Sequence, residues 1–153
     1  MTASCPTPDT ALDTFLATHE ETLRSLLGYW PVHVWKVEQF GPLTKYTLGE
    51  MPDKRWAMLH HLTQADTGPA HCHPCVMETY LFHPYVERVY QPTGNGYHPE
   101  YTLWQAGSTH TIAPECIHQI LFLPEGEAWS LVFAGPVVRE WRHYSEEELQ
   151  SKS

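Results

Sequence analysis

The stretch Gly68-Pro69-Ala70-His71-Cys72-His73-Pro74-Cys75-Val76-Met77-Glu78 decides how this chain is read. On an extended strand, residues i and i+2 point to the same face, about 6.5–7 Å apart. His71 and His73 can therefore converge on one metal ion, each through a ring nitrogen. A third ligand has to come from a neighbouring strand. Pro114-Glu115-Cys116-Ile117-His118 supplies it, at the head of the apolar run Ile117–Leu123. Glu78 is open to three roles: a fourth ligand, a hydrogen-bond partner of a ligand histidine, or a general base. Three histidines, with or without a carboxylate, leave coordination positions free for water, O2 or substrate. The plainer alternative is three polar residues hydrogen-bonded at strand ends. The shared spacing and the third histidine favour a metal.

The two cysteines inside this stretch invite other readings. Cys72-His-Pro-Cys75 lacks the strand-to-helix setting that lowers a thiol pKa in a redox pair. No second Cys-x-x-Cys occurs to complete a structural zinc site. Strand parity turns Cys72 away from the His71/His73 face, as a small apolar residue. Cys75 and Cys116 have the parity to line the cavity.

Outward from the histidines, the chain reads as short strands: Val32–Phe40, Leu43–Leu48, Arg55–Thr63, Val76–Phe82, Tyr85–Gln91, Tyr101–Gln105, Ser108–Ile112, Ile117–Leu123, Ala128–Ala134 and Val137–Tyr144. Turn formers such as Gly41-Pro42, Asp66-Thr67-Gly68-Pro69, Thr93-Gly94-Asn95-Gly96 and Pro124-Glu125-Gly126 separate them. Residues 1–8 form a Pro- and Thr-rich tail. From Asp9 to Leu27, Leu12, Phe15, Leu16, Leu23, Leu26 and Leu27 recur at helical spacing, with Asp9 or Thr10 as cap and Gly28 as stop. The reading is thus an all-β sandwich or jelly roll over residues 29–144, preceded by one amphipathic helix over residues 9–28. The acidic run of residues 145–153 is either a short helix or a solvated tail.

Composition narrows the function. The chain has 153 residues, room for one ordinary domain, and 42% hydrophobic residues, enough for a core. Nine Lys plus Arg against 18 Asp plus Glu give a net charge of -9. Such a chain lacks the basic footprint that nucleic acid or an anionic membrane surface requires. No apolar run approaches the roughly 20 residues that span a bilayer, and MTASCPTPDT has no secretory signal character. Four cysteines, unevenly spread, are too few for a disulfide framework. A cytoplasmic location is the expectation.

Gly68, His71, His73 and Glu78 resemble the first conserved motif of the cupin superfamily, and Gly107, Pro114 and His118 its second. The chain departs from that pattern in a shorter Gly68-to-His71 gap and in Tyr85 at the closing glycine. No glycine lies between Pro114 and His118, and Phe122 stands where asparagine is usual. The resemblance spans Arg55 to Trp141. Pro52-Asp-Lys-Arg-Trp56, His71-Cys-His-Pro74 and Gly135-Pro-Val-Val-Arg-Glu-Trp141 are similar to a group of small bacterial and phage cupins. The resemblance implies a cupin jelly roll that binds a metal near the mouth of its barrel. Three-His sites occur in thiol dioxygenases within that superfamily. Three-His-one-Glu sites occur in other iron dioxygenases, isomerases, decarboxylases and storage proteins.

The leading expectation is an Fe(II) dioxygenase acting on a small organic substrate, with His71, His73 and His118 as ligands; Zn, Ni, Mn and Cu suit the same set. Glu78, Tyr80 and His60 are the expected catalytic residues. His60-His61 sits on a strand, so one of the two must face inward. Tyr80 and Phe82 share the parity of Glu78, and the Tyr80 hydroxyl could reach a metal-bound ligand. Trp129, Leu131 and Phe133 read as plain barrel packing, with cavity wall as the alternative. His98-Pro99-Glu100 is set aside because it falls in a turn-rich region. Arg139, Trp141 and Arg142 read as capping or dimer-contact residues. The rivals are a non-redox isomerase, epimerase or lyase with a Lewis-acid metal, and a binding module without turnover. A homodimer through an edge strand or the N-terminal segment is expected.

Overall fold

The computed structural model describes residues 9–150; the tail of residues 1–8, with Cys5, and residues 151–153 lie outside it. The described residues fall into two compact units, divided between His33 and Val34.

The first unit carries α1 (Thr10–Thr18) and α2 (Glu20–Leu27) where the sequence predicts one helix. Asp9 caps α1, its carboxylate accepting from the Leu12 amide at 3.0 Å. Gly28 ends α2 at φ +79°, a left-handed value that only glycine adopts at little cost. The interruption falls at His19. Just before it, the Thr18 hydroxyl donates to the Thr14 carbonyl at 2.8 Å, a back-bond that bends helices. Leu12, Phe15, Leu23 and Leu27 form the buried stripe that the periodicity implied.

The second unit is a two-sheet antiparallel sandwich. Its strands are β1 (Lys36–Phe40), β2 (Leu43–Glu50), β3 (Trp56–Leu62), β4 (Ala70–Cys72), β5 (Met77–Leu81), β6 (Tyr85–Thr93), β7 (Gly96–Trp104), β8 (Thr109–Ile112), β9 (Ile117–Phe122), β10 (Ala128–Ala134) and β11 (Arg142–Tyr144). One sheet has the order β1-β2-β3-β10-β5-β8 and the other β11-β4-β9-β6-β7. The chain closes with α3 (Glu146–Leu149), whose Ser145 and Glu148 form a capping box.

Register decides which side chains face the space between the sheets, because directly paired residues share a face. His60 pairs with Ser130, Met58 with Val132, and Val132 with Thr79. Met58, Met77, Ile112, Val132 and Ala134 pack into one buried cluster, with Cys75 and Cys116 against it. Leu81 meets Tyr85 and Ile120 of the opposite sheet. Fully burying a side chain such as Leu81 contributes about 1.5–3 kcal/mol. The interior faces are thus Met58/His60, Met77/Thr79/Leu81 and Ser130/Val132 on one sheet, and Tyr85/Glu87/Val89 with His118/Ile120 on the other.

This register corrects several expectations. Glu78 and Tyr80 alternate with the inward Met77, Thr79 and Leu81, so both point out of the sandwich. Trp129, Leu131 and Phe133 alternate with Ser130 and Val132 and also lie on the outer face, where Trp129 stacks on His61 at 4.0 Å. His98, Pro99 and Glu100 belong to β7, an edge strand, where proline's missing donor is tolerated. Val137–Tyr144 shortens to β11. The chain ahead of it instead clips onto the histidine loop, with the Val138 and Arg139 amides both donating to the Pro74 carbonyl.

Candidate metal centre

β4 and β9 run side by side with His71 directly opposite His118. His73 follows one residue after β4, where its amide donates to the Pro114 carbonyl at 3.2 Å and ties the two histidine segments together. The three rings form a near-equilateral set, with centroid separations of 4.9, 4.8 and 4.9 Å and each pair steeply inclined. One ligand nitrogen from each lies within 4.8 Å of the others. Among the described residues this is the cluster with the makings of a metal site.

The protonation chemistry fits an ion. Burial, with His118 close by, pushes His71 down to about 3; burial, with His118 and His71, pushes His73 down to about 2. Both imidazoles are neutral at pH 7, as ligation requires. The buried Nδ1 of His73 and Nε2 of His118 have no hydrogen-bond partner. Buried polar atoms rarely stay unpaired, and a cation shared by these nitrogens would satisfy both.

His118 is aimed by a residue the sequence reading does not single out. Its Nδ1 donates to Glu87 Oε2 at 2.6 Å, and Glu87 Oε1 accepts from Trp104 Nε1 at 3.1 Å. That bond fixes the proton on Nδ1 and leaves the Nε2 lone pair for a metal. Burial alone would raise the Glu87 pKa, but the bonds from His118 and Trp104 outweigh it and hold the carboxyl below its usual range. The signal was present in the sequence: Glu87 occupies the same parity as Tyr85 and Val89, an acid on an otherwise apolar strand face.

Trp141 is a second unanticipated member. Its indole stacks on His71 at 4.8 Å and 13° and meets His73 edge-on at 5.1 Å. Its Nε1 donates to His143, whose ring lies 6.1 Å from that of His71. Trp141 therefore covers two ligand rings from the solvent side and restrains their rotation.

The remaining expected residues divide. His60 faces inward, its Nε2 sealed and without a partner. It lies close enough to His73 to lower that residue's pKa. Glu78 is exposed and paired with Arg55 at 2.7 Å, away from the histidines. It lies outside the three-histidine group. Tyr80 packs on Phe82 at 4.9 Å on that same outer side. Met77 takes the inward place, apolar where a carboxylate was expected. Cys72 is fully buried behind β4 with Ala70, Ile117, Tyr144 and Leu149, as its parity implied. Cys75 and Cys116 reach the interior cluster, and burial raises both thiols, Cys116 to about 12.

Two predictions follow from this division. Glu78→Gln should leave metal stoichiometry unchanged by elemental mass spectrometry and cost less than about 1 kcal/mol of stability, since its ion pair is exposed. Metal loss in that variant would overturn the placement of Glu78. For His60, burial first and Lys45 second lower the pKa from 6.5 to about 4. A depressed histidine pKa means stability that is present above pH 6.5 and lost as pH falls toward 4. Metal-free protein should therefore lose about 2–3 kcal/mol through His60 alone between pH 7 and 4.5. Urea melts of His60→Leu at the two pH values should lack that increment; an unchanged pH dependence would contradict it.

No protein-family model and no curated protein sequence matches the chain. Solved structures do. Hydroxypropylphosphonic acid epoxidase from S. wedmorenis aligns at a TM-score of 0.51 and 8% identity, over 65% of this chain and 55% of that one. The polyketide cyclase RemF from Streptomyces resistomycificus aligns at 0.53 and 19%, over 78% and 89%. Oxalate decarboxylase from Bacillus subtilis aligns at 0.53 and 10%, over 71% and 29%. This chain spans about half the length of the epoxidase and under a third of the decarboxylase. All three are cupin-fold enzymes, and the chain has the cupin fold. No helix among the described residues is long and apolar enough to cross a membrane.

Proposed function

We propose that this cupin-fold chain is a metal-dependent enzyme that holds Fe(II) through His71, His73 and His118 and oxidises a small organic substrate with O2. One observation carries the reading: His73 Nδ1, His118 Nε2, His60 Nε2 and Thr79 Oγ1 are all buried, unpartnered and set on inward-facing positions or the histidine cluster. So many orphaned polar atoms in one interior favour a bound ion and a polar ligand beside it. Fe(II), when bound, supplies redox chemistry and positions open to O2 and substrate. Glu87 and Trp104 hold His118 in its ligating tautomer, and Trp141 restrains His71 and keeps water from that side. Burial keeps His60 neutral at pH 7, and in its Nδ1–H tautomer Nε2 would take a proton from a substrate lying across the interior. Thr79 Oγ1 would orient that substrate.

His60 also supports a second reading, a lyase or isomerase in which Zn, Mn or Ni polarises a carbonyl and His60 moves the proton. The same proposal places the chain in a reducing cytoplasm as a homodimer. Support comes from the free thiols of Cys72, Cys75 and Cys116 and from the exposed Val37 and Phe40 on the open edge strand β1. A one-chain mass by light scattering would overturn the dimer.

The deciding experiment is elemental analysis of protein purified without added metal. It is followed by O2 uptake of anaerobically iron-loaded protein with small thiols and phenols. Near-stoichiometric iron with substrate-dependent uptake is expected. Tightly held zinc or nickel without uptake would move the assignment to the second reading. Metal without turnover of any substrate would leave a binding module, and absence of metal would overturn the site.

A further inference from the structure

Lys45 stands in a cross-strand row that runs inward from the sheet edge. Glu38 of β1 pairs with Lys45 of β2, Lys45 with His60 of β3, and His60 with Ser130 of β10. Directly paired residues share a face and sit about 4.5–5.5 Å apart. Lys45 is therefore on the inner side of its sheet, next to the histidine that the proposed reaction uses. Its ammonium acts on His60 and on Cys75 alike. After burial, it is the second cause that lowers the His60 pKa, and it offsets part of the rise that burial gives the Cys75 thiol. Cys75 follows His73 by two residues, so the ammonium lies near the histidine loop as well as near His60.

This is also where the interior opens. Among the inward residues, Met58, Thr79, Leu81 and Val132 are buried, whereas Lys45, His60 and Cys75 keep part of their surface exposed. Behind Lys45, His60 Nε2 is buried and unpartnered. The charge at the opening is unbalanced. Glu38 serves two ammoniums, Lys36 at 3.6 Å and Lys45 at 3.5 Å, both longer than the about 2.7–2.9 Å of a close charge-assisted hydrogen bond. The trio carries one net positive charge, in a chain whose net charge is -9. A carboxylate arriving here would meet an ammonium whose present partner is distant and shared. A cation would be repelled, and a neutral molecule would leave the charge as it is. The apolar Met58 and Val132 further in suit a compact hydrocarbon body.

We propose that the site takes a small organic monocarboxylate, its carboxylate held by Lys45 at the opening and its apolar body directed past His60 toward the three histidines. This deepens the enzyme reading by naming the substrate's class. It rests on that reading only for turnover, because the ion pair with Lys45 needs no metal.

The test titrates metal-free protein, labelled in its histidine rings, with isobutyrate and separately with isobutyramide at constant ionic strength. Isobutyrate should shift the His60 ring resonance, and the uncharged amide of the same shape should bind at least about fivefold more weakly. Lys45→Gln should weaken isobutyrate about tenfold, and Lys45→Arg, which keeps the charge, should hold it within about threefold. Glu38→Gln should strengthen isobutyrate about two- to threefold, because it releases Lys45 from its partner; such a gain cannot come from a damaged fold. Equal binding of the amide, isobutyrate affinity unchanged in Lys45→Gln, or no gain in Glu38→Gln would overturn the proposal. The two readings fail separately. A Lys45-dependent isobutyrate response in protein that takes up no metal overturns the metal centre alone. Metal uptake without an isobutyrate response overturns the carboxylate anchor alone.

Discussion

His118→Ala is expected to lower metal affinity by at least about a hundredfold and to destabilise the metal-free protein as well. The first effect follows from removing one of three ligand nitrogens, a larger loss than the 10- to 100-fold typical of removing a ligand's supporting partner. The second follows from Glu87. That carboxylate is 3% exposed and receives one of its two hydrogen bonds from His118. Without the imidazole it is a buried charge held by Trp104 alone, at a cost on the order of 3 kcal/mol. The double variant His118→Ala/Glu87→Gln should recover part of the stability and none of the metal. Elemental analysis and urea melts of the two variants check both halves. Unchanged metal content in His118→Ala would remove the centre. A double variant no more stable than the single would remove the electrostatic account of Glu87. His71→Ala offers an independent check, because its ring is only half-buried and supports no buried carboxylate.

Glu87→Gln carries the second large effect, a loss of metal affinity that exceeds its cost in stability. Metal affinity is expected to fall about 10- to 100-fold, because an amide polarises the His118 Nδ1 proton less and leaves Nε2 a poorer donor to a cation. Stability of the metal-free protein should fall by about 1 kcal/mol, since Trp104 and His118 both donate to this group and an amide offers them one acceptor oxygen in place of two. A merely structural role for Glu87 predicts lost stability with unaltered affinity in whatever protein stays folded. Competition titration against a chelator, paired with melts of the metal-free form, separates the two. Trp104→Phe, which removes the bond to Glu87 Oε1, should show a smaller drop of the same sign.

Glu78 illustrates how far local pattern reaches. Motif spacing allows the carboxylate one residue of latitude, and in a strand one residue is the difference between inside and outside. Between His73 and Met77 the chain turns through Pro74 and leaves β4 for β5 in the other sheet. Parity carried forward from His71 and His73 is meaningless beyond that turn. The pairing of Thr79 with Val132 and Met77 with Ala134 resets it, placing Met77 inward and Glu78 beside Arg55. Tyr80 fails for the same reason, being two residues further along the same face. Trp129, Leu131 and Phe133 pack outside the sandwich, and nothing local marks this, because the one polar residue of β10, Ser130, sits on the inner side and both faces are otherwise apolar.

What the sequence determined by itself rests on local periodicity and on short-range geometry. Those two sources yield the mostly β architecture, the stripe of the N-terminal helical segment with its Asp9 cap and Gly28 stop, and the His71/His73 pair. The polarity of Cys72 relative to that pair is legible too, since both features need only the alternation of one strand. His118 was recoverable because it opens an unmistakably apolar strand. The tertiary structure alone decided which partner each strand took. It is the pairing of β4 with β9 that closes the three histidines, and that of β6 with β9 that brings Glu87 to His118. The clip on Pro74 that lays Trp141 over His71 is of the same kind. These contacts join residues dozens of positions apart, and no periodicity within a strand encodes which other strand will lie beside it.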